Sequence, residues 1–255
     1  MGSAVFDFSG QTVLVTGGTK NIGREFAERF ARAGASVGVI GGHDADALDD
    51  VARSLDAIGN PAAGLISTLD TQAEVDRVVT LVESELGPVD VFVNCAGARF
   101  PSSLDGLDQS VWHDAITTNL TVPFLVAQRV MPGMLARRTG RIITLTGLVV
   151  HWGGPLSVAG GASKAGLAGL TTSLAAIGAT DGVTVNSIMA GYIATDRLEE
   201  SPERARLVRD RVPMARTGLM SEVASVGLFV ASDLASYMTG QTLMVSGGAH
   251  PMTGQ

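Results

Sequence analysis

Cysteine is nearly absent from this chain: Cys95 stands alone among 255 residues, so no internal disulfide can hold the fold. Its place at the end of an apolar strand reads as a packed structural thiol rather than a reactive one. Positive charge is also short, with 18 Lys and Arg against 25 Asp and Glu. The net charge of −7 argues against general attraction to nucleic acid or anionic membranes. Aromatics make up only 5% of a sequence that is 45% hydrophobic, which suits buried parallel strands of Val, Ile, Leu and Ala. No apolar run is long enough to span a bilayer. The first residues lack the basic-then-apolar pattern of a signal peptide, and Phe6 stands where a myristoylation motif has Ser or Thr. A soluble, cytoplasmic protein is expected, with a small-molecule substrate and no nucleic-acid, membrane or metal partner. No repeat, low-complexity tract or break in composition divides the chain. Residues 1–255 are therefore read as one domain, a size at which α/β sheets commonly stay whole.

What is present is an alternation. Apolar β-type runs at 12–15, 36–40, 63–66, 89–93, 141–145, 183–188 and 242–245 read as strands. Helical spacing fills 22–33, 45–58, 72–86, 110–135, 158–177 and 221–231 between them. Such alternation predicts a doubly wound parallel sheet of about seven strands with helices on both faces, an α/β fold of Rossmann type. Its ligand crevice should lie beyond the carboxyl ends of the strands, where Gly17, Asn94, Gly147 and Gly191 fall. Gly17, Gly18 and Gly23 lie between the first strand and its helix. Glycine there allows a tight turn and close approach of the backbone to a pyrophosphate, whose charge meets amides at the helix start.

These residues carry a family resemblance. Thr16-Gly17-Gly18-Thr19-Lys20-Asn21-Ile22-Gly23 is similar to the TGxxxGxG turn of the short-chain dehydrogenase/reductase superfamily, with Asn21 for its middle glycine. Asn is the residue that best tolerates left-handed backbone angles after Gly, so the turn can survive. Asn94-Cys95-Ala96-Gly97 resembles the family's NNAG element, with Cys95 for the second Asn. The stretch Asn186 to Thr195 resembles the segment that holds the nicotinamide carboxamide, with Ala190 for the usual Pro. The likeness runs from about Phe8 to Gly248 and is nearest to the small, 3-oxoacyl-ACP reductase-like branch. It implies one NAD(P)-binding domain whose cofactor residues are Gly17, Thr19, Lys20, Asn21, Ile22, Gly23, Asn94, Ala96, Gly97, Lys164, Gly191, Ile193 and Thr195. At the end of the second strand Gly41-Gly42-His43 offers no carboxylate for the ribose hydroxyls of NAD. Asp44 comes slightly late and reads as a helix N-cap. Lys20 matches a base found in members that prefer NADP, so NADP is expected, with NAD second.

The chemistry is where the chain departs from the family. Members use a Ser and a Tyr to polarise and protonate a substrate carbonyl, supported by Lys and Asn. Asn119 and Lys164 match the supports, but by register the Ser and Tyr fall at Gly147 and Gly160. Without replacement, the loss of both donors should cost on the order of 10³-fold in rate. His151, four residues past Gly147, has a suitable pKa for acid work and is the candidate side-chain replacement, with water or the substrate itself as the other sources of the proton. Trp152 and Tyr192 read as pocket walls, Arg99 as a substrate-carboxylate contact or a solvated base, and Ser157 and Ser163 as helix-start residues. The resemblance thus implies an NADP-dependent reductase of atypical site acting on a bulky carbonyl, enone or imine. The alternative is a non-redox cyclase, isomerase or pseudoenzyme of specialised biosynthesis, or a structural partner in a hetero-oligomer. A homo-oligomer, tetramer or dimer, is expected from the family's pairing of the helices read here at 110–135 and 158–177.

Overall fold

The computed structural model describes residues 5–101, 103–154, 156–196 and 202–249. Seven strands alternate with helices: β1 (Thr12–Thr16), β2 (Ser36–Gly41), β3 (Ala62–Ile66), β4 (Val89–Asn94), β5 (Gly140–Gly147), β6 (Val183–Ala190) and β7 (Thr242–Val245). All pair in parallel, in the order β3-β2-β1-β4-β5-β6-β7. The order reverses between β1 and β4, so the loops leaving these two strands part and open a crevice at their carboxyl ends.

The strands are aliphatic because both faces of the sheet are covered. On one face, α1 (Asn21–Arg32) and α9 (Met220–Ala231) bury Phe26, Phe30, Val223 and Leu228 against Val13, Val15, Val91 and Val93. Phe8 meets Phe30 edge to face at 4.9 Å between ring centroids, a favoured aromatic geometry. On the other face, α3 (Gln72–Leu86) and α5 (Val122–Arg137) pack Val75, Val79, Val126 and Val130 against Leu14, Phe92 and Ile142. Each such side chain contributes about 1.5–3 kcal/mol when fully buried. The remaining helices are α2 (Ala45–Ile58), α4 (Gln109–Ile116), α6 (Val149–Trp152), α7 (Val158–Gly178) and α8 (Pro202–Arg211).

Three elements differ from the periodicity reading. The single helix expected over 110–135 is two helices, α4 and α5, joined by a π-helical turn at Thr117–Thr121. Pro123 brings no N–H to the carbonyl four residues back, which favours a widened turn at that place. The helix α6 is a single turn, too short to show a period. In α8, Pro202–Arg211 is mostly charged and polar, so it lacks the apolar stripe that marks a packed helix.

Candidate active site

The loops at the carboxyl ends of the strands enclose a cleft of about 580 Å³, within the range of small-molecule and cofactor sites. Its floor is the turn between β1 and α1. Gly17 has φ of 64°, and a Cβ there would lie 2.7 Å from the Ala96 amide nitrogen. A Cβ on Gly23 would lie 2.1 Å from the Gly17 carbonyl oxygen. Glycine at both is thus a packing requirement: the first turn of α1 sits directly on the loop, and the β4 loop closes over it. The first turn of α1 holds no acidic residue, so its amides and the positive end of its dipole remain open to an anion. Asn21 takes the left-handed angle expected of it, with φ of 52°. Its Oδ1 accepts a hydrogen bond from the Asp196 amide at 2.9 Å, tying the turn to the segment after β6.

Lys20 lines this end of the cleft but does not stand free there. Its ammonium pairs with the Asp44 carboxylate, which holds the lysine pKa above and the aspartate pKa below their ordinary values. Asp44 also caps α2, its Oδ1 accepting from the Ala47 amide at 2.9 Å. The N-cap reading of Asp44 is thus right but incomplete, since the same carboxylate engages the base expected to meet a phosphate. The substitution Asp44→Asn keeps an oxygen for the cap and releases Lys20. It is expected to tighten binding of NADPH about fivefold and leave NADH unchanged, as suits an exposed ion pair. Calorimetric titration of both cofactors checks this, and an unchanged NADPH affinity would show that Lys20 takes no part.

At the other end stand Asn119, Ser163 and Lys164. Asn119, in the π turn, is fully buried and clamps the loop after β4. Its Oδ1 accepts from the Ala98 amide at 3.1 Å, and its Nδ2 donates to the Ala98 carbonyl at 3.2 Å. The same Nδ2 donates to Ser163 Oγ at 3.1 Å, and that hydroxyl donates to the Gly160 carbonyl, also at 3.1 Å. Ser163 is therefore a buried link between α7 and the π turn, not the helix-start residue its sequence neighbours imply. Lys164 lines the cleft, with its Nζ donating to the Leu145 carbonyl at 2.9 Å. A Cβ on Gly97 would approach Lys164 Nζ to 2.9 Å and Asn119 Oδ1 to 3.1 Å, so these two residues bracket that loop. Gly191, Ile193 and Thr195 form the facing wall.

Two further glycines lie on the elements that carry Thr146 and Lys164, though neither lines the cleft itself. Gly147 closes β5 opposite Ala190, and a Cβ there would meet only the Ala190 carbonyl oxygen, at 3.9 Å. Gly160 lies one helical turn before Lys164, on the same face of α7, and a Cβ there meets nothing within 4 Å. Side-chain space is open at both positions. Cys95 lines the cleft as well. Burial pushes its thiol pKa up, outweighing the opposing effect of the Lys164 charge.

Of the residues singled out in the sequence, Gly17, Thr19, Lys20, Asn21, Ile22, Gly23, Ala96, Gly97, Lys164, Gly191, Ile193 and Thr195 converge on the cleft. Asn94 lies beneath it, fully buried, with its Oδ1 accepting from Thr16 Oγ1 at 3.0 Å. Arg99 lies at the cleft, whereas His151 is an exposed residue of α6 outside the lining. Trp152 and Tyr192 pack on each other at 6.1 Å, and the Arg211 guanidinium lies 5.9 Å from the Trp152 ring centre. Sequence reasoning missed Ser67, Thr68 and Leu69, which follow β3 and line the cleft. The rule that ligands gather at strand carboxyl ends points to them as well.

Comparison with known proteins agrees with this geometry. The family described as Enoyl-(Acyl carrier protein) reductase matches residues 17–250. The chain is 38% identical over 245 residues to 3-oxoacyl-[acyl-carrier-protein] reductase FabG of Salmonella typhimurium, covering 95% of this chain and 98% of that protein. It is 37% identical over 246 residues to the protein of the same name from Escherichia coli, covering 96% and 99%. A crystal structure of a single-residue variant of actinorhodin polyketide ketoreductase with NADPH superimposes with a TM-score of 0.87 at 33% identity, covering 94% of this chain and 97% of that one. A likeness of this extent, on a sheet of this order with its glycine turn at the switch point, makes the chain a member of the short-chain dehydrogenase/reductase family.

Proposed function

We propose that the protein is an NADPH-dependent oxidoreductase that reduces a bulky carbonyl, enone or imine at a site of atypical donors. The observation that carries this reading is the convergence of the α1 turn, Lys164 and the 191–195 wall on one cleft. The fit to a dinucleotide rests on the cradle at Gly17 and Gly23, which a Cβ at either position would fill, and on the unneutralised amides of α1. Gly17, Thr19, Ile22 and Gly23 would take the pyrophosphate, Lys20 the adenosine end, and Lys164 the ribose hydroxyls. When bound, the nicotinamide supplies a hydride. The NADPH of the ketoreductase neighbour supports the choice of cofactor, as does the lack of a carboxylate at Gly41 and Gly42. NADPH is expected to bind more tightly than NADH in calorimetric titration; equal affinity, or preference for NADH, contradicts this.

The chain's own groups then hold the substrate. Asn119 fixes the Ala98 loop, Lys164 places a positive charge beside the reacting oxygen, and Gly147 and Gly160 widen the space around it. Among the described residues lining that end, Lys164 and the raised-pKa Cys95 are the titratable groups near Leu145 and Thr146, and Arg99 also lines the cleft. Ordinary small ketones should therefore be poor substrates. The test is a panel of cyclic ketones and enones with NADPH, following cofactor absorbance and product identity. The same two glycines favour the second reading, a cyclase, isomerase or pseudoenzyme, which predicts product or binding without NADPH consumption.

The assembly is proposed to be a homotetramer. The outer faces of α5 and α7 carry the exposed Phe124 and Ile177 among small residues such as Ala162, Ala165 and Gly169. Helices with such faces can approach closely, and closed symmetric assemblies are the usual outcome. Light scattering at micromolar concentration should return about four times the chain mass; a monomer contradicts this.

A further inference from the structure

We propose that the substrate of this cleft is an ortho-hydroxyaryl ketone, whose own phenol supplies the proton that no described residue lining the cleft provides. The inference rests on the reductase reading above and names its substrate class. Three observations lead to it. First, space is open at Gly160, one turn before Lys164 on the same helix face, and at Gly147 across from Ala190. Second, the described cleft residues nearest that space bring no neutral acid of suitable strength. Lys164 is a cation and the Cys95 thiol is pushed up by burial, while His151 and the Tyr192 phenol both lie outside the lining. Third, the Lys164 ammonium is held by the Leu145 carbonyl at 2.9 Å, beside the β5 end that leads into Gly147.

The required donor must be neutral when it enters and must be acidified by a nearby ammonium. Water and aliphatic alcohols are too weak, and a carboxylic acid has already lost its proton. A phenol, with an ordinary pKa of about 10, meets both conditions and is lowered by an adjacent positive charge. A hydroxyl ortho to the ketone stands within hydrogen-bond reach of the carbonyl oxygen without any help from the protein. The planar ring suits the open space at Gly147 and at Gly160. The aromatic pair Trp152 and Tyr192 stands just beyond, on the segments that continue from Gly147 and Gly191.

The step balances within the complex. The carbonyl carbon gains a hydride from NADPH, which is oxidised to NADP⁺, and the C=O π pair moves to oxygen. That oxygen takes the phenol proton to give the alcohol. The phenolate left behind is held by the Lys164 charge and recovers its proton from water.

Two measurements test it, using an acetylnaphthol with adjacent hydroxyl and acetyl groups, and its methyl ether. In cofactor-free protein, an absorbance titration should find the bound phenol still protonated at neutral pH but ionising at lower pH than the free phenol, a shift that Lys164→Met removes and the ether cannot show. With NADPH, the phenol should turn over about 10²-fold faster than the ether, and Gly160→Tyr should raise the ether by about the same factor. Equal turnover of the two ketones, or a bound phenol that ionises no more readily than the free one, overturns the substrate-donor proposal and leaves the reductase reading standing. No NADPH oxidation with either ketone, in wild type or in Gly160→Tyr, overturns both.

Discussion

Replacing Gly147 by Ser and Gly160 by Tyr together should raise NADPH-dependent reduction of a simple ketone at least about 10²-fold over wild type. The surroundings admit both side chains: the Cβ at 160 meets nothing within 4 Å, and that at 147 only the Ala190 carbonyl oxygen at 3.9 Å. The supports that such donors need are already in place. Lys164 shares a helix face with position 160, and the buried Asn119–Ser163–Gly160 chain of hydrogen bonds fixes the start of α7. A phenol beside the Lys164 ammonium has its pKa lowered toward the working range, and a serine hydroxyl at 147 would polarise the carbonyl oxygen. The tyrosine should account for most of the gain, because it supplies the proton. His151→Ala should leave wild-type turnover intact, since His151 is exposed and outside the cleft lining. Steady-state kinetics of the wild type, both single variants and the double variant decide the matter. Robust wild-type reduction of simple ketones, unaffected by these changes, would show that the donors lie elsewhere.

Gly23→Ala should weaken NADPH binding by at least about 10²-fold. Its methyl group would stand 2.1 Å from the Gly17 carbonyl oxygen and 3.1 Å from the Gly18 Cα, and neither is the end of a flexible side chain. The turn must therefore move away from α1, which spoils the alignment of its first amides with an anion. Overpacking of this kind also costs about 1–3 kcal/mol of stability, so the thermal midpoint should fall while the far-ultraviolet circular dichroism stays helical. Titration of NADPH into the folded variant is the deciding measurement. Wild-type affinity would mean that the α1 turn is not the pyrophosphate cradle.

Much of this is legible in the sequence, for identifiable reasons. Strands such as Val89–Asn94 are buried on both faces, so their apolar runs show without any partner being known. The glycine turn reads clearly because sterics leave no other residue at Gly17 and Gly23. Asn21 reads as a left-handed position because Asn tolerates that angle, and its φ of 52° agrees. What escapes the reading depends on contacts between segments far apart in the chain. The Lys20–Asp44 pair joins the α1 turn to the start of α2, and nothing local at Lys20 reveals it. The role of Ser163 depends on Asn119, forty-four positions away. The π turn that carries Asn119 interrupts a helical pattern that periodicity alone continues unbroken. His151 draws attention as an imidazole four residues past Gly147, and in the fold it is an exposed residue of α6 outside the cleft lining. The substrate is unwritten for a related reason: the walls around Gly147 and Gly160 are defined by missing side chains.

The central claim is that a hydride passes from a nicotinamide to a carbonyl carbon held beside Lys164. It is tested most directly with NADPH carrying deuterium at the transferable position, incubated with the protein and the ortho-hydroxyaryl ketone. Mass spectrometry of the product should find a single deuterium on the new carbinol carbon, and Lys164→Met should suppress its formation. Recovery of unlabelled product, or of unchanged ketone and unoxidised cofactor, would contradict the account.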